Sequence, residues 1–288
     1  MKSLRERVGS LFGKREPSVE TEVEPPPSPS STPPDCPPGV EASPELEAAR
    51  IAPLVSEIVA RLGSSLRPGL RQREIEQQAV ALLRAAKLAP RFLGYLGFPA
   101  SLAISIDDEV VHGIPSDRRI EEGQLVKLQL GARTTTGSAD QAWTFAVGPV
   151  SEEKQRLCAA ARTALEKGLQ TLRADAFTGD FGAAVEKILA SAGCSSVHDF
   201  QGYAIGAKPI QKPYLPCFGR PGEGDRLEAG TLLHVHVIAA AGSHLVRTKD
   251  DGWTAITEDN SPAALYTVMV RVTANGFDLL TPQLTGRD

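Results

Sequence analysis

The chain has 288 residues, 41% of them hydrophobic and 23% charged, with a formal net charge of −4. These values fit a soluble folded protein with a sizeable core and exclude general nucleic-acid binding, which needs a basic face. No apolar run approaches the ~20 residues that span a bilayer, and Cys36, Cys158, Cys194 and Cys217 show no C-x-x-C spacing, so a disulfide framework is excluded and a reducing, cytoplasmic setting is expected.

In chain order, "MKSLRERVGSLFGKR" (1–15) carries Leu4, Val8, Leu11 and Phe12 at helical spacing among five basic residues. Such a segment could touch an acidic membrane surface or a partner groove; the plainer reading is a frayed, solvated start. Residues 16–43 are rich in Pro, Ser and Glu with little to bury, which predicts a disordered tether. Residues 44–288 form the folded domain.

Ser43-Pro44-Glu45 is a helix start, and Ala48, Ile51, Val55, Ile58, Val59 and Leu62 follow at helical spacing. Pro53 inside this run predicts a kink or a later start. A second helix is predicted over about Gln72–Lys87, then strands in "GYLGFPASLAISI", "QLVKLQLGA" and "DQAWTFAVG". The plan then restarts. Ser151 opens a helix with Leu157, Ala161, Leu165 and Leu169 inward, and a second spans about Asp180–Ala192. Strand-like runs follow in "SVHDFQGYAI", "TLLHVHVIAAA" and "LYTVMVRVT". Two helix–helix–strand halves predict an α+β fold with one curved antiparallel sheet, helices outside, and a cleft between the halves.

In "GTLLHVHVIAAAG", His234 and His236 are two apart on a strand. They share a face, about 7 Å apart along it, which raises the question of a metal site.

"GYLGFPASLAISIDDEVVHGIPSD", "DQAWTFAVG", "GYAIG", "FGRPGEGDRLEAGTLL" and "DGWTAIT" closely resemble type I methionine aminopeptidases, of peptidase family M24, in the same order. The resemblance runs from about residue 44 to the end. It implies the pita-bread fold and a centre of two divalent ions held by two aspartates, a histidine and two glutamates. Carried over one by one, the ligand positions fall on Gln129, Asp140, Tyr203, His236 and Thr267; only Asp140 keeps the family's residue. Of two further family histidines, one is His112 and the other falls on Ile210, with Gln211 at the glutamate after it. The methionine-binding pocket implied by the resemblance falls on Tyr95, Phe98 and Trp253, with Ala103 where cysteine is common.

Loss of three of the four ligand carboxylates leaves too little negative charge for two metal ions. The expectation is therefore a chain with no cofactor, in which His236 and Asp140 form a buried couple. The alternative is one divalent ion (Zn, Fe, Mn or Co) held by His236, Asp140, His234 and His112. The first functional expectation is a non-catalytic protein, a pseudoenzyme, that binds a peptide or protein N-terminus through Tyr95, Phe98, His112 and Trp253. The alternative is a metalloaminopeptidase with a reduced one-metal site. A third reading is a metal-free lyase or hydrolase like creatinase-type relatives, with His112 or His236 as acid–base.

Overall fold

The computed structural model describes residues 43–284 apart from Ala207. The expectations for residues 1–15 and for the tether ahead of Ser43 fall outside this set. Among the described residues, no helix is long and apolar enough to cross a membrane, and Cys158, Cys194 and Cys217 are free thiols.

The first half opens with α1 (Pro44–Ser65), whose cap is the Ser43 hydroxyl accepting from Leu46 N at 3.2 Å. Pro44 takes the first helical position, where no amide is needed. Pro53 neither delays nor ends the helix. It lies on the exposed face, so the carbonyl it leaves without an amide partner is on the solvent side. Then come α2 (Gln72–Ala85), β1 (Ala89–Pro90), β2 (Leu102–Ile106), β3 (Glu109–Val111), β4 (Leu125–Arg133) and β5 (Ser138–Ala146). β4 is central, with β1 and β2 along one edge and β5 along the other. The strand expected from Gly94 begins only at Leu102. Gly94 and Gly97 adopt φ of 80° and 86° around Leu96 at 50°, so Tyr95–Gly97 form a tight 3₁₀ turn before Pro99.

The second half repeats the plan with α3 (Glu152–Leu169), α4 (Thr178–Ser191), β6 (Ser195–Ser196), β7 (Gly202–Ile205), β8 (Gln211–Leu215), β9 (Leu232–Ala240), β10 (Val246–Thr248), β11 (Ala255–Thr257), β12 (Ala263–Val272) and β13 (Phe277–Leu279). β13, β12, β9, β7 and β8 form a sheet in that order, with β6 also on β9. β3, β11 and β10 make a smaller third sheet. α1 packs on β4 and β5, and α3 on β9 and β12. The core is continuous across both halves.

The curved antiparallel sheet is built of two hydrogen-bonded sheets joined at a seam. β5 and β12 run antiparallel, side by side, yet threonine hydroxyls bridge them. Thr267 Oγ1 accepts from Ala142 N at 2.7 Å. Thr144 Oγ1 accepts from Leu265 N at 2.8 Å and donates to Leu265 O at 2.9 Å. Near one end of the seam the buried Lys127 donates from Nζ to Asp107 O at 2.7 Å and to Ala263 O at 2.9 Å. These bonds satisfy backbone groups that would otherwise be buried unpaired where the halves meet.

Candidate functional site

Strand register assembles the site. Thr267 on β12 lies opposite His236 on β9, and Tyr203 on β7 lies opposite His234. Asp140 comes from β5, across the seam from β12. Neighbouring strands thus bring Asp140, Thr267, His234, His236 and Tyr203 together.

The contacts are short and buried. Asp140 and His234 are wholly inaccessible, and His236 nearly so. Asp140 Oδ1 lies 2.7 Å from His234 Nδ1, but off the line of a hydrogen bond, so Oδ1 has no aligned partner among the described residues. Asp140 Oδ2 accepts from the Tyr203 hydroxyl at 3.1 Å and ion-pairs with Arg91 Nη1. His236 Nε2 and His234 Nδ1 are 2.9 Å apart, and His234 Nε2 is 3.0 Å from Thr267 Oγ1. The pairing differs from expectation: His234, not His236, meets Asp140. The two side chains do converge, because the rings turn toward each other with centroids 4.4 Å apart.

Arg91 is the residue that sequence reasoning missed. Its amide donates to Gly131 O at 2.9 Å, alongside β4. Gly131 is the cross-strand partner of Asp140. A Cβ at Gly131 would come within 3.0 Å of Arg91 Cβ and 2.8 Å of the Phe92 ring, so only glycine leaves room for this approach. The guanidinium then reaches Asp140, sits 5.8 Å from the Tyr203 ring centroid and donates to Pro209 O at 3.1 Å.

Beside these residues is an apolar cavity of about 120 Å³, lined by Tyr95, Phe98, Phe200, Trp253, Ala103 and Ile210, with His112, Gln129 and His236 among its polar lining. Phe98 and Trp253 pack edge to face at 5.1 Å. His112 is held at φ 59° with its ring edge-on to Phe200 at 5.4 Å, and its Nδ1 has no hydrogen-bond partner among the described residues. A Cβ on the following Gly113 would lie 2.0 Å from Ile104 O, which explains the glycine of "VHGIP". Gln129 is buried, and its Oε1 has no hydrogen-bond partner among the described residues. Gln211 lies outside the cavity, on β8, and accepts from Lys208 N. Burial pushes His112 down to about 4 and His236 to about 3. His234 falls well below the ordinary range through burial first, then the His236 and Arg91 charges. All three imidazoles are neutral near pH 7, the form that ligates metal.

The arrangement fits one metal ion. Asp140, His234 and His236 offer ligand atoms that all lie within 4.8 Å of one another. Asp140 Oδ1 is buried without an aligned partner while Oδ2 is held from behind. His234 can donate its Nε2–H to Thr267 and turn the Nδ1 lone pair to an ion, the usual outer support of a ligating histidine. His112 is not one of this group, and Gln129 and Tyr203 contribute no charge to it.

The sequence profile of metallopeptidase family M24 matches residues 47–274. The chain is 32% identical to methionine aminopeptidase 1 of Bacillus subtilis over 82% of this chain and 94% of that one. It is 34% identical to a methionine aminopeptidase of Clostridium perfringens over 79% and 92%. The fold is similar to the crystal structure of methionine aminopeptidase from Thermotoga maritima, with a TM-score of 0.81 at 27% identity, covering 83% and 97% of the two chains. The pita-bread architecture follows. The expectation of a chain without a cofactor is thereby corrected: its relatives are metallopeptidases, and Asp140, His234 and His236 make a group that could hold a metal ion. Position-by-position transfer does not reach His234, which entered only as a donor of the one-ion alternative, because it falls on no ligand position of the family; three of that alternative's four residues are in the group, and His112 is not. The expected pseudoenzyme has no support in these findings, since a group of side chains able to hold a metal ion is present. By both sequence and fold, the chain belongs to metallopeptidase family M24.

Proposed function

We propose that the chain is an aminopeptidase-type metallohydrolase with a single-ion centre at Asp140, His234 and His236, acting on peptides with N-terminal methionine or a similar apolar residue. The observation that carries this reading is His236, which belongs to the ligand group and also lines the aromatic cavity. A side chain in the cavity would place its own backbone next to the ligand atoms. A divalent ion held there would polarise a carbonyl and lower the pKa of a bound water. Tyr203 and Arg91 fix the Asp140 carboxylate through Oδ2, and Thr267 fixes the His234 ring. Phe98 and Trp253 exclude water from the cavity and select for apolar shape. The unpartnered His112 Nδ1 and Gln129 Oε1 are free to bond the peptide backbone. The test is release of methionine from a Met-Ala-Ser peptide with one equivalent of Co, Mn, Fe(II) or Zn. Metal-dependent release that is lost in His234→Ala and Asp140→Asn supports the reading. No release with any of these ions, in protein shown to bind them, overturns turnover.

A second reading is a cleft that binds a peptide N-terminus without cleaving it. It is favoured by one observation, the Arg91 guanidinium already paired with Asp140. Calorimetric titration with uncleaved Met-peptides tests it; loss of binding in Trp253→Ala is the expected result, and no saturable binding by wild type overturns it.

A further inference from the structure

The Arg91 side chain is 6% exposed, and four residues from separate parts of the chain place Arg91. Gly131 O fixes its backbone, Pro209 O takes Nη2, and Asp140 with Tyr203 takes Nη1. Its Nη1 lies 3.4 Å from the Tyr203 hydroxyl, which is itself 3.1 Å from His234 Nδ1. A full positive charge therefore stands one hydroxyl away from a candidate ligand atom, on the same carboxylate that would hold a metal ion.

The charge count shows what this does. Asp140 contributes −1 and Arg91 +1, so the ion pair is balanced as it stands, and an imidazole adds no negative charge in either of its forms. A divalent ion added to this set raises it to +2 in a place where no other carboxylate joins the ligand group among the described residues. Unbalanced buried charge is strongly unfavourable. The guanidinium and the ion would repel each other at a few ångströms, in surroundings that screen poorly.

We propose that Arg91 is a resident cation that competes with a metal ion for Asp140 and thereby sets the metal affinity of the centre. This rests on the reading of Asp140, His234 and His236 as ligands. The competition is one of charge, not of space: Arg91 takes Oδ2 and leaves Oδ1 without an aligned partner. The centre is then a weak metal site by construction, occupied only when the ion's concentration, or an anionic group that arrives with it, offsets the guanidinium.

The experiment is calorimetric titration of chelator-stripped full-length protein with Co(II), with visible absorption as a second readout. It compares wild type, Arg91→Gln, Arg91→Lys and Asp140→Asn. Arg91→Gln removes the charge but keeps an N–H donor for Asp140; Arg91→Lys keeps the charge. Circular dichroism and the unfolding midpoint, with and without cobalt, report that each variant is folded. The expected result is binding by Arg91→Gln about tenfold to a hundredfold tighter than wild type, the range over which neighbours of a ligand change metal affinity. Arg91→Lys stays near wild type, Asp140→Asn binds least, and cobalt raises the Arg91→Gln midpoint more than that of wild type. Equal affinities for wild type and Arg91→Gln overturn the competition while leaving the ligand assignment standing. Weaker binding by Arg91→Gln also overturns it, since Arg91 would then be holding the ligand in place. No cobalt binding by any of the variants, Arg91→Gln included, overturns the competition and the ligand assignment together.

Discussion

Thr267→Val tests the seam and the site in one substitution. The shape is nearly unchanged, and only the hydroxyl is lost. Thr267 is fully buried, and its Oγ1 takes the Ala142 amide at 2.7 Å and faces His234 Nε2 at 3.0 Å. Valine leaves both groups buried without that partner. Each orphaned polar group costs about 1–3 kcal/mol, so the expected loss is about 2–6 kcal/mol. At about 3 kcal/mol the melting temperature falls by about 6–12 °C for a domain of this size. Thr144→Val is the companion, since that hydroxyl bonds both backbone groups of Leu265 and does not reach His234; it removes the seam bonds and leaves His234 untouched. Urea unfolding followed by far-UV circular dichroism, with a common m-value, gives both numbers. If Thr267→Val lies within about 0.5 kcal/mol of wild type, the range of ordinary surface changes, the hydroxyl is not satisfying buried groups and the account of the seam fails.

Three further outcomes follow from the geometry. Burial lowers the Lys127 amine to about 8 from its ordinary 10.5. Below pH 8 it is charged in both states and its burial penalty is fully present. Between 8 and 10.5 the unfolded chain holds the proton that the folded chain has lost, so stability rises with pH, by about 3 kcal/mol over the window; Lys127→Met should lack this rise in urea titrations at pH 8 and 10. His112 and His236, held down to about 4 and about 3, work at the acid side: their stability is intact above about 6.5 and is lost as pH falls toward those values. His236→Gln should therefore show a shallower fall of the unfolding midpoint between pH 7 and 4 than wild type. Gly131→Ala puts a methyl within 3.0 Å of Arg91 and Phe92; a loss of about 1–3 kcal/mol is expected from overcrowding, and no loss would mean the segment around Arg91 yields freely.

The helices were legible because their signals are local. Ser43 and Ser151 cap the first helix of each half, and the apolar spacing of Ile51, Val55 and Leu62, or of Leu157, Ala161 and Leu165, gives the buried face. The strands β4, β5, β9 and β12 were legible as apolar runs, and the duplicated plan followed from their order. The turn at Leu96 was not, because the apolar letters of "GYLGFP" outweighed the two glycines that bend it. The seam was hidden too, since Thr144 and Thr267 read as ordinary strand residues until β5 and β12 lie side by side. In the site, the shared face of His234 and His236 came from the period of a strand. Which of them meets Asp140 depends on ring rotation and on the join between two sheets, and no spacing encodes that. Arg91 was the least legible, since a long flexible side chain in "KLAPRFLG" carries no pattern of its own. Its position is set by Gly131, forty residues later.

His236 lines the cavity and also stands in the ligand group, and this sharing has a thermodynamic corollary. A guest in the cavity and an ion at the ligand group press on one imidazole, so each changes the free energy of the other's arrival. Such an effect is equal in both directions: the factor by which a cavity guest tightens or weakens cobalt is the factor by which cobalt tightens or weakens the guest. An apolar molecule with no affinity for metal would therefore be a legitimate probe of the ion, and a spectroscopically silent ion could be followed through the aromatic wall next to it.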